Sequence, residues 1–292
     1  MRGLSVLCRL LAVAVVAIAF GSVVAGSPAP TAKAAPYETL MVPSAAMGAL
    51  FGFLAQRVRD ARGSLGWAVG INSVGAAVAP LLTAQFLIPV FGAWRTLIPV
   101  ALGYLLLLPL RRASLLWAAA PVAAGAMLLL GPVPVFTHVP PGGALLALRD
   151  GPMLTASAVE DAGRIRYLEV NGHFRMGGTS SMRSDYRQAI LPLLLHPAPH
   201  DALFLGIGTG ATIVGGAQMP RVSVRGVELS PEVVDLLPWF ADPAVKSPAP
   251  PITIADARRY IVADKALHDV IIADLFHPAL DGSGSLYTTE HF

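Results

Sequence analysis

Hydrophobic and polar positions are patterned differently in the two halves of this chain. Up to Phe136 the apolar residues come in long blocks. From Ala144 they come in short runs separated by Gly, Pro and charged residues. The blocks are the run from Leu10 within residues 1–26, then Thr39–Gln56, Leu65–Gly92, Thr96–Leu110 and Leu115–Phe136, with arginines at the breaks. Each is near the roughly 20 residues that cross a bilayer, so five spans are expected. The short runs predict strands: Leu145–Arg149, Met153–Ala158, Arg164–Val170 and, after an Asn171-Gly172 hairpin turn, His173–Met176. Asp185–Leu195 reads as a helix, stopped by His196-Pro197.

Four further runs lie between Asp201 and Asp274. Ala202–Leu205 breaks into Gly206-Ile207-Gly208-Thr209-Gly210, with a helix from Ala211. Val222–Val227 ends on Glu228, and Ser230-Pro231-Glu232 reads as a helix start with serine as cap. Ile252–Ile254 leads to Asp256 and a helix over Arg258–Val262, and Val270–Ala273 ends on Asp274. Apolar runs that each finish in a glycine loop or a carboxylate predict one edge of a parallel sheet, where open α/β folds bind ligands.

Composition sharpens this division. Residues 1–137 hold nine Lys/Arg and two Asp/Glu, whereas residues 138–292 hold twelve and sixteen. The basic sequence pI of about 9.2 therefore belongs to the apolar half, and no nucleic-acid partner is expected. The domains expected are a transmembrane region over 1–137, a small β domain over 138–180 and a nucleoside-binding domain over 181–292. Residues 1–34 read either as a retained span or as a cleaved signal peptide. The single cysteine, Cys8, excludes a disulfide framework and a thiolate cluster, and the histidines lack ligand spacing, so no metal is expected.

The chemistry concentrates at the predicted edge. Gly206, Gly208 and Gly210 let backbone approach a ligand, and Gly206-x-Gly208-x-x-Ala211 also fits a dinucleotide fingerprint or a plain tight turn. Glu228 lies about 20 residues on, where one carboxylate accepts from two ribose hydroxyls. Asp256 reads as an acceptor for an exocyclic adenine amine or as a helix cap. Asp274 reads as a base that takes a proton from an attacking amine, or as a turn acid. His277 is a base, a polar clamp or a turn histidine before Pro278.

From Tyr167 to Phe292 the chain resembles the spermidine synthase (polyamine aminopropyltransferase) family, in its membrane-fused bacterial form. The likeness rests on Leu168–Gly172, Tyr186–Pro197, Gly206–Gly210, Val227–Val234, Asp256-Ala257, Asp269–Pro278 and Ser285–Phe292. It implies a Rossmann-like, methyltransferase-type parallel sheet behind the small antiparallel β domain, cut short at the C-terminus. It implies decarboxylated S-adenosylmethionine, or S-adenosylmethionine, as a co-substrate rather than a permanently bound cofactor. It assigns the ribose to Glu228, the adenine to Asp256 with Ala257 beside it, and catalysis to Asp274. His277 and Asp185 then fall at the amine substrate. Thr209, His277 and Ser184-Asp185 depart from the family pattern, all where a cationic amine is gripped. The nucleoside half therefore matches and the amine half is altered.

The function expected is membrane-anchored aminopropyl transfer to a small-molecule amine. Its rivals are an S-adenosylmethionine-dependent methyltransferase on the same fold and a non-catalytic membrane protein with a degenerate nucleoside-binding domain. The expected setting is the bacterial inner membrane, multi-pass, with the lipid bilayer as partner, a possible homodimer, and the catalytic domain on the cytoplasmic face. One conflict stands. Five spans with Arg57–Arg62 and Arg111-Arg112 inside place everything after Phe136 outside.

Overall fold

The computed structural model describes residues 35–96, 137–172, 174–246 and 248–273, besides the isolated positions 99, 122 and 126. The chain divides into two units, 1–136 and 137–292.

In the first unit, helix α1 (Ala35–Asp60) carries Arg57 and Arg59 in its last turn, where cations suit the helix dipole. It stops in a left-handed cap at Arg62 (φ 57°). The Gly63 amide donates to Val58 O at 2.8 Å and the Arg62 amide to Arg59 O at 2.9 Å, the paired bonds of a Schellman end. Helix α2 (Leu65–Leu82) begins at Ser64, whose Oγ accepts the Trp67 amide. A widened π turn over Thr83–Leu87 joins it to α3 (Ile88–Arg95). Pro89 has no amide to return to the preceding turn, which is where the ladder widens. Gly92 (φ 78°) then breaks the helical geometry.

Among the described residues, one helix is long and apolar enough to cross a membrane, the 28 residues Leu65–Gly92. Of the multi-pass region expected, that one helix is the part with support among the described residues. The expected spans in 1–26, 96–110 and 115–136 lie outside the described residues except at isolated positions. Thr39–Gln56 falls within α1, where several side chains are not described.

The second unit opens with an antiparallel sheet of β1 (Ala144–Asp150), β2 (Thr155–Glu160), β3 (Arg166–Val170) and β4 (Phe174–Gly178), in that spatial order. Asn171 (φ 52°) and Gly172 (φ 73°) are both left-handed, as a two-residue hairpin turn requires. Strand β3 starts two residues later than its apolar pattern predicts. Asp161 Oδ1 accepts the Gly163 and Ile165 amides, and Arg164 is left-handed (φ 62°), so the turn extends further. Helix α4 (Met182–Leu195) follows.

The parallel sheet contains β5 (Asp201–Leu205), β6 (Ser223–Glu228), β7 (Ile252–Ile254) and β8 (Val270–Ala273), in the order β7-β6-β5-β8. The connections are α5 (Ala211–Ala217), then α6 (Pro231–Leu236) with a 3₁₀ turn over Leu237–Phe240, then α7 (Ala257–Ala263). Both faces of β5 are covered, which explains its unbroken apolar run. Ala202 and Phe204 pack with Ala189, Leu193 and Ile213, while Leu203 and Leu205 pack with Val227, Tyr260 and Ile261. The antiparallel sheet buries Ala156, Ala158 and Leu168 against Val233, Leu236 and Phe240. The two sheets therefore meet through α6.

The order of strands fixes where a ligand can enter. From β5 the chain steps to β6 on one side, and β8 lies on the other. The carboxyl end of β5 is thus a topological switch point, the place where open α/β sheets bind ligands.

At the opposite end of β5, Asp269 Oδ2 accepts the His200 amide at 2.7 Å and the Asp201 amide at 3.1 Å. Those bonds favour the charged carboxylate and hold its pKa below the ordinary 3.8. A depressed carboxyl contributes stability that is present above its unfolded pKa and lost as pH falls through its folded one. Acid denaturation monitored by circular dichroism is therefore expected to be steeper below about pH 4 in the wild type than in Asp269→Asn. Equal profiles count against this pairing.

Candidate active site

Three residues of the glycine loop stand in left-handed backbone conformations: Gly206 (φ 78°), Gly208 (φ 52°) and Gly210 (φ 80°). A residue with a Cβ is strained there, so the loop needs glycine to turn this tightly. The Gly206 amide continues the sheet ladder by donating to Val227 O at 2.9 Å. Gly210 caps α5, and its amide donates to Ile207 O at 2.8 Å. Ile207 sends its side chain into the core, 2% exposed.

Glu228 ends β6 beside this loop and is only 6% exposed. Its Oε2 accepts the Ile207 amide at 2.9 Å and its Oε1 accepts the Ser230 amide at 3.0 Å. The carboxylate thus bridges the loop after β5 and the turn after β6. A carboxylate has about four lone-pair sites, and these two amides take two of them. The rest are left for hydroxyl donors.

Strand β7 ends level with Glu228: Ile254 pairs with it, and the Ala255 amide donates to Glu228 O at 2.9 Å. Asp256 follows and is exposed. Its Oδ1 accepts the Arg259 amide at 3.1 Å, so it caps α7. Ala257 sits half-buried against Leu203, Leu205 and Val227. The structure therefore brings Gly206, Gly208, Gly210, Glu228, Asp256 and Ala257 to one edge of one sheet. Ala273, the last described residue of β8, pairs with Leu205 at the same level. Asp274 and His277 lie outside the described residues.

Asp185 is engaged elsewhere. It sits in the first turn of α4, where its Oδ2 accepts from Ser181 Oγ at 2.9 Å. Ser181 Oγ also reaches Gly178 O at 3.0 Å, so this cluster fastens the start of α4 to the end of β4. Next to Asp185, Tyr186 donates its hydroxyl to Asp242 Oδ2 at 3.0 Å. Burial first, and the Asp242 carboxylate second, push its pKa up to about 12. The phenol therefore stays neutral and tethers α4 to the segment after the 3₁₀ turn.

Sequence reasoning missed two features of this site. One is β4, which crosses the loop. A Cβ on Gly208 would lie 3.6 Å from Met176 O, and one on Gly177 would lie 3.3 Å from Thr209 Cγ2. The Gly177-Gly178 pair inside a strand was the available signal, because strand glycines often mark a close backbone approach. The other is Ser230. It stands at the cap position with Pro231 following, as predicted, but its hydroxyl makes no capping bond. It donates instead to Glu232 Oε2 at 2.6 Å.

Fold and site together define an open α/β protein with a glycine loop and a buried acid at the switch point, behind an antiparallel sheet. No family profile matches the chain. It is 34% identical over 107 residues to a polyamine aminopropyltransferase of Pyrobaculum arsenaticum, covering 34% of this chain and 37% of that protein. The chain thus spans little more than a third of the length of that curated relative. Among solved structures it is similar to a spermidine synthase in complex with the transition state analogue AdoDATO. The identity is 22% and the TM-score 0.45, over 50% of this chain and 52% of that one. The spermidine synthase of Thermotoga maritima is similar at 21% identity and a TM-score of 0.43, over 50% of each chain.

Replacing Glu228 by Gln puts an amide NH₂ against one of the two backbone N–H donors. Leaving a buried donor unsatisfied costs about 1–3 kcal/mol, so Glu228→Gln is expected to lower unfolding stability in urea by that amount. An unchanged urea midpoint counts against the bridge.

Proposed function

We propose that the second unit binds a nucleoside sulfonium at the carboxyl edge of the parallel sheet and transfers an aminopropyl group from it to an amine. The observation that carries this reading is the Glu228 bridge at the switch point. A buried carboxylate with acceptor sites left over, beside a glycine loop, suits two neighbouring ribose hydroxyls. The 34% identity to a polyamine aminopropyltransferase supports the same reaction. The co-substrate in this reading is decarboxylated S-adenosylmethionine, with Glu228 on the ribose and Asp256 on the adenine amine. The Asp256 Oδ1 bond to its helix leaves Oδ2 for that second task.

In the reaction proposed, the acceptor nitrogen attacks the carbon next to the sulfonium. A C–N bond forms, the C–S bond breaks, and its electron pair neutralises sulfur to give methylthioadenosine. The amine proton passes to a carboxylate, and Asp274 is the proposed base because it follows Ala273, the β8 residue paired with Leu205. Asp185 and His277 are the residues proposed for the amine half, Asp185 in addition to its bond with Ser181.

Calorimetry with methylthioadenosine is expected to show binding that Glu228→Ala abolishes. Assay with decarboxylated S-adenosylmethionine and a panel of amines is expected to release methylthioadenosine, and Asp274→Asn to reduce that rate at least a hundredfold. Binding of S-adenosylmethionine in preference to its decarboxylated form, with methyl transfer, would replace this reading by the methyltransferase one. Failure to bind any of the three compounds rejects both.

We further propose that Leu65–Gly92 anchors the protein in the bacterial inner membrane, with the catalytic unit on the cytoplasmic face. Its length and apolar composition support the anchoring. The cytoplasmic face is proposed because the co-substrate is made there; with Arg57, Arg59 and Arg62 also biased inside, it requires a further crossing between Gly92 and Thr137. Membrane fractions resistant to alkaline extraction are expected to retain the chain. Protease added to intact spheroplasts is expected to spare residues after 137; recovery in the alkaline supernatant, or cleavage there, rejects the respective half of the proposal.

A further inference from the structure

We infer that Glu232 is a positioning residue for the glycine loop, acting through Ser230 and Glu228 from the β1–β2 turn of the other sheet. The inference rests on the nucleoside reading above only for its ligand readout.

Glu232 stands in the first turn of α6 and is 8% exposed. Its carboxylate lies against the bare Cα of Gly151, between β1 and β2. A Cβ there would come within 1.9 Å of Oε1 and 2.1 Å of the carboxyl carbon. Only glycine admits the carboxylate at that place, so the antiparallel sheet and Glu232 are shaped to each other. The other oxygen, Oε2, accepts the hydroxyl of Ser230, a residue only 1% exposed. The Ser230 amide donates to Glu228 Oε1, and Glu228 Oε2 accepts the Ile207 amide in the glycine loop.

These contacts form one continuous path: Gly151, Glu232, Ser230, Glu228, Ile207. Each hydrogen bond orients the next group. The hydroxyl bond holds Ser230 so that its amide faces Glu228, and that amide turns the Glu228 carboxylate toward Ile207. Neither Glu228 nor Glu232 has an ion-pair partner among the described residues, so hydrogen-bond donors alone carry their charge there. Such a path is sensitive to the loss of any one donor. A loop made of left-handed glycines has little stiffness of its own, and the Glu228 bond is what fixes its amide at Ile207.

The test is hydrogen exchange of the purified full chain, read by mass spectrometry on peptides covering Leu205–Ala211. Ser230→Ala and Glu232→Ala are expected to speed exchange of the loop amides on the order of tenfold, the effect of one lost buried hydrogen bond. Exchange in α4 and β8 is expected to stay at wild-type rates. Glu232→Gln keeps an acceptor oxygen for the serine hydroxyl and is expected to restore wild-type loop exchange. Gly151→Ala, which displaces the carboxylate without removing it, is expected to mimic Glu232→Ala. Unchanged loop exchange in Glu232→Ala overturns the inference. So does acceleration spread over α4 and β8, or failure of Glu232→Gln to restore the loop, since each describes a merely structural acid. Affinity for methylthioadenosine is expected to fall about tenfold in parallel with loop exchange. If the wild type binds none, the nucleoside reading fails, while the exchange rates still judge the path.

Discussion

A carboxylate taken out of water must be surrounded by donors, and Glu228 is surrounded by the backbone of the two loops that flank it. One oxygen holds the Ile207 amide and the other holds the Ser230 amide. Without that bridge the glycine loop would be a run of permissive residues with no set path. With it, the carboxyl ends of β5 and β6 become a single rigid rim. Strand β7 joins the same rim through the Ala255 amide on Glu228 O, and β8 joins it through the pairing of Ala273 with Leu205.

The packing beneath explains why the rim holds its shape. Strand β5 is buried on both faces, by Ala189, Leu193 and Ile213 on one and by Tyr260 and Ile261 on the other. Close approaches reinforce this. Gly215 stands where a Cβ would meet Tyr186 Cα at 2.7 Å, and Gly216 where one would meet the Phe204 ring at 2.5 Å. Helices α4 and α5 thus pack as near as backbones allow, and the loop feeding α5 cannot drift from β5. The antiparallel sheet reaches the rim by two routes, β4 over Gly208 and Thr209, and the β1–β2 turn through Glu232. The small sheet is therefore part of the site rather than an appendage.

Much of this was legible beforehand, and the reasons are local. The runs at 202–205, 222–227, 252–254 and 270–273 each fall within one residue of a parallel strand; for β5 the reason is burial on both faces, which leaves no polar alternation to hide it. The Asn171-Gly172 turn was legible because few dipeptides accept two left-handed residues in succession. The helix cap at Asp256 followed from residue type and position alone. Boundaries were less legible where a side chain redirects the backbone, as Asp161 does before β3 and Ser181 does before α4. The multi-pass expectation rests on composition alone beyond one helix. Apolar composition marks segments that suit lipid, but it does not count how many of them cross it, and one helix of that kind stands among the described residues.

Sequence by itself determined which segments are strands and helices, where the chain must turn, and that glycines and acids gather at strand ends. Those are properties of one residue and its near neighbours. Tertiary structure alone decided that Glu228 faces two amides 21 and 2 residues away, that Ser230 bonds the Glu232 carboxylate rather than capping a backbone amide, and that Gly151 leaves its place to that carboxylate. A hydrogen bond between distant segments leaves no periodic trace in either one. It exists only once packing has set the two at the same rim.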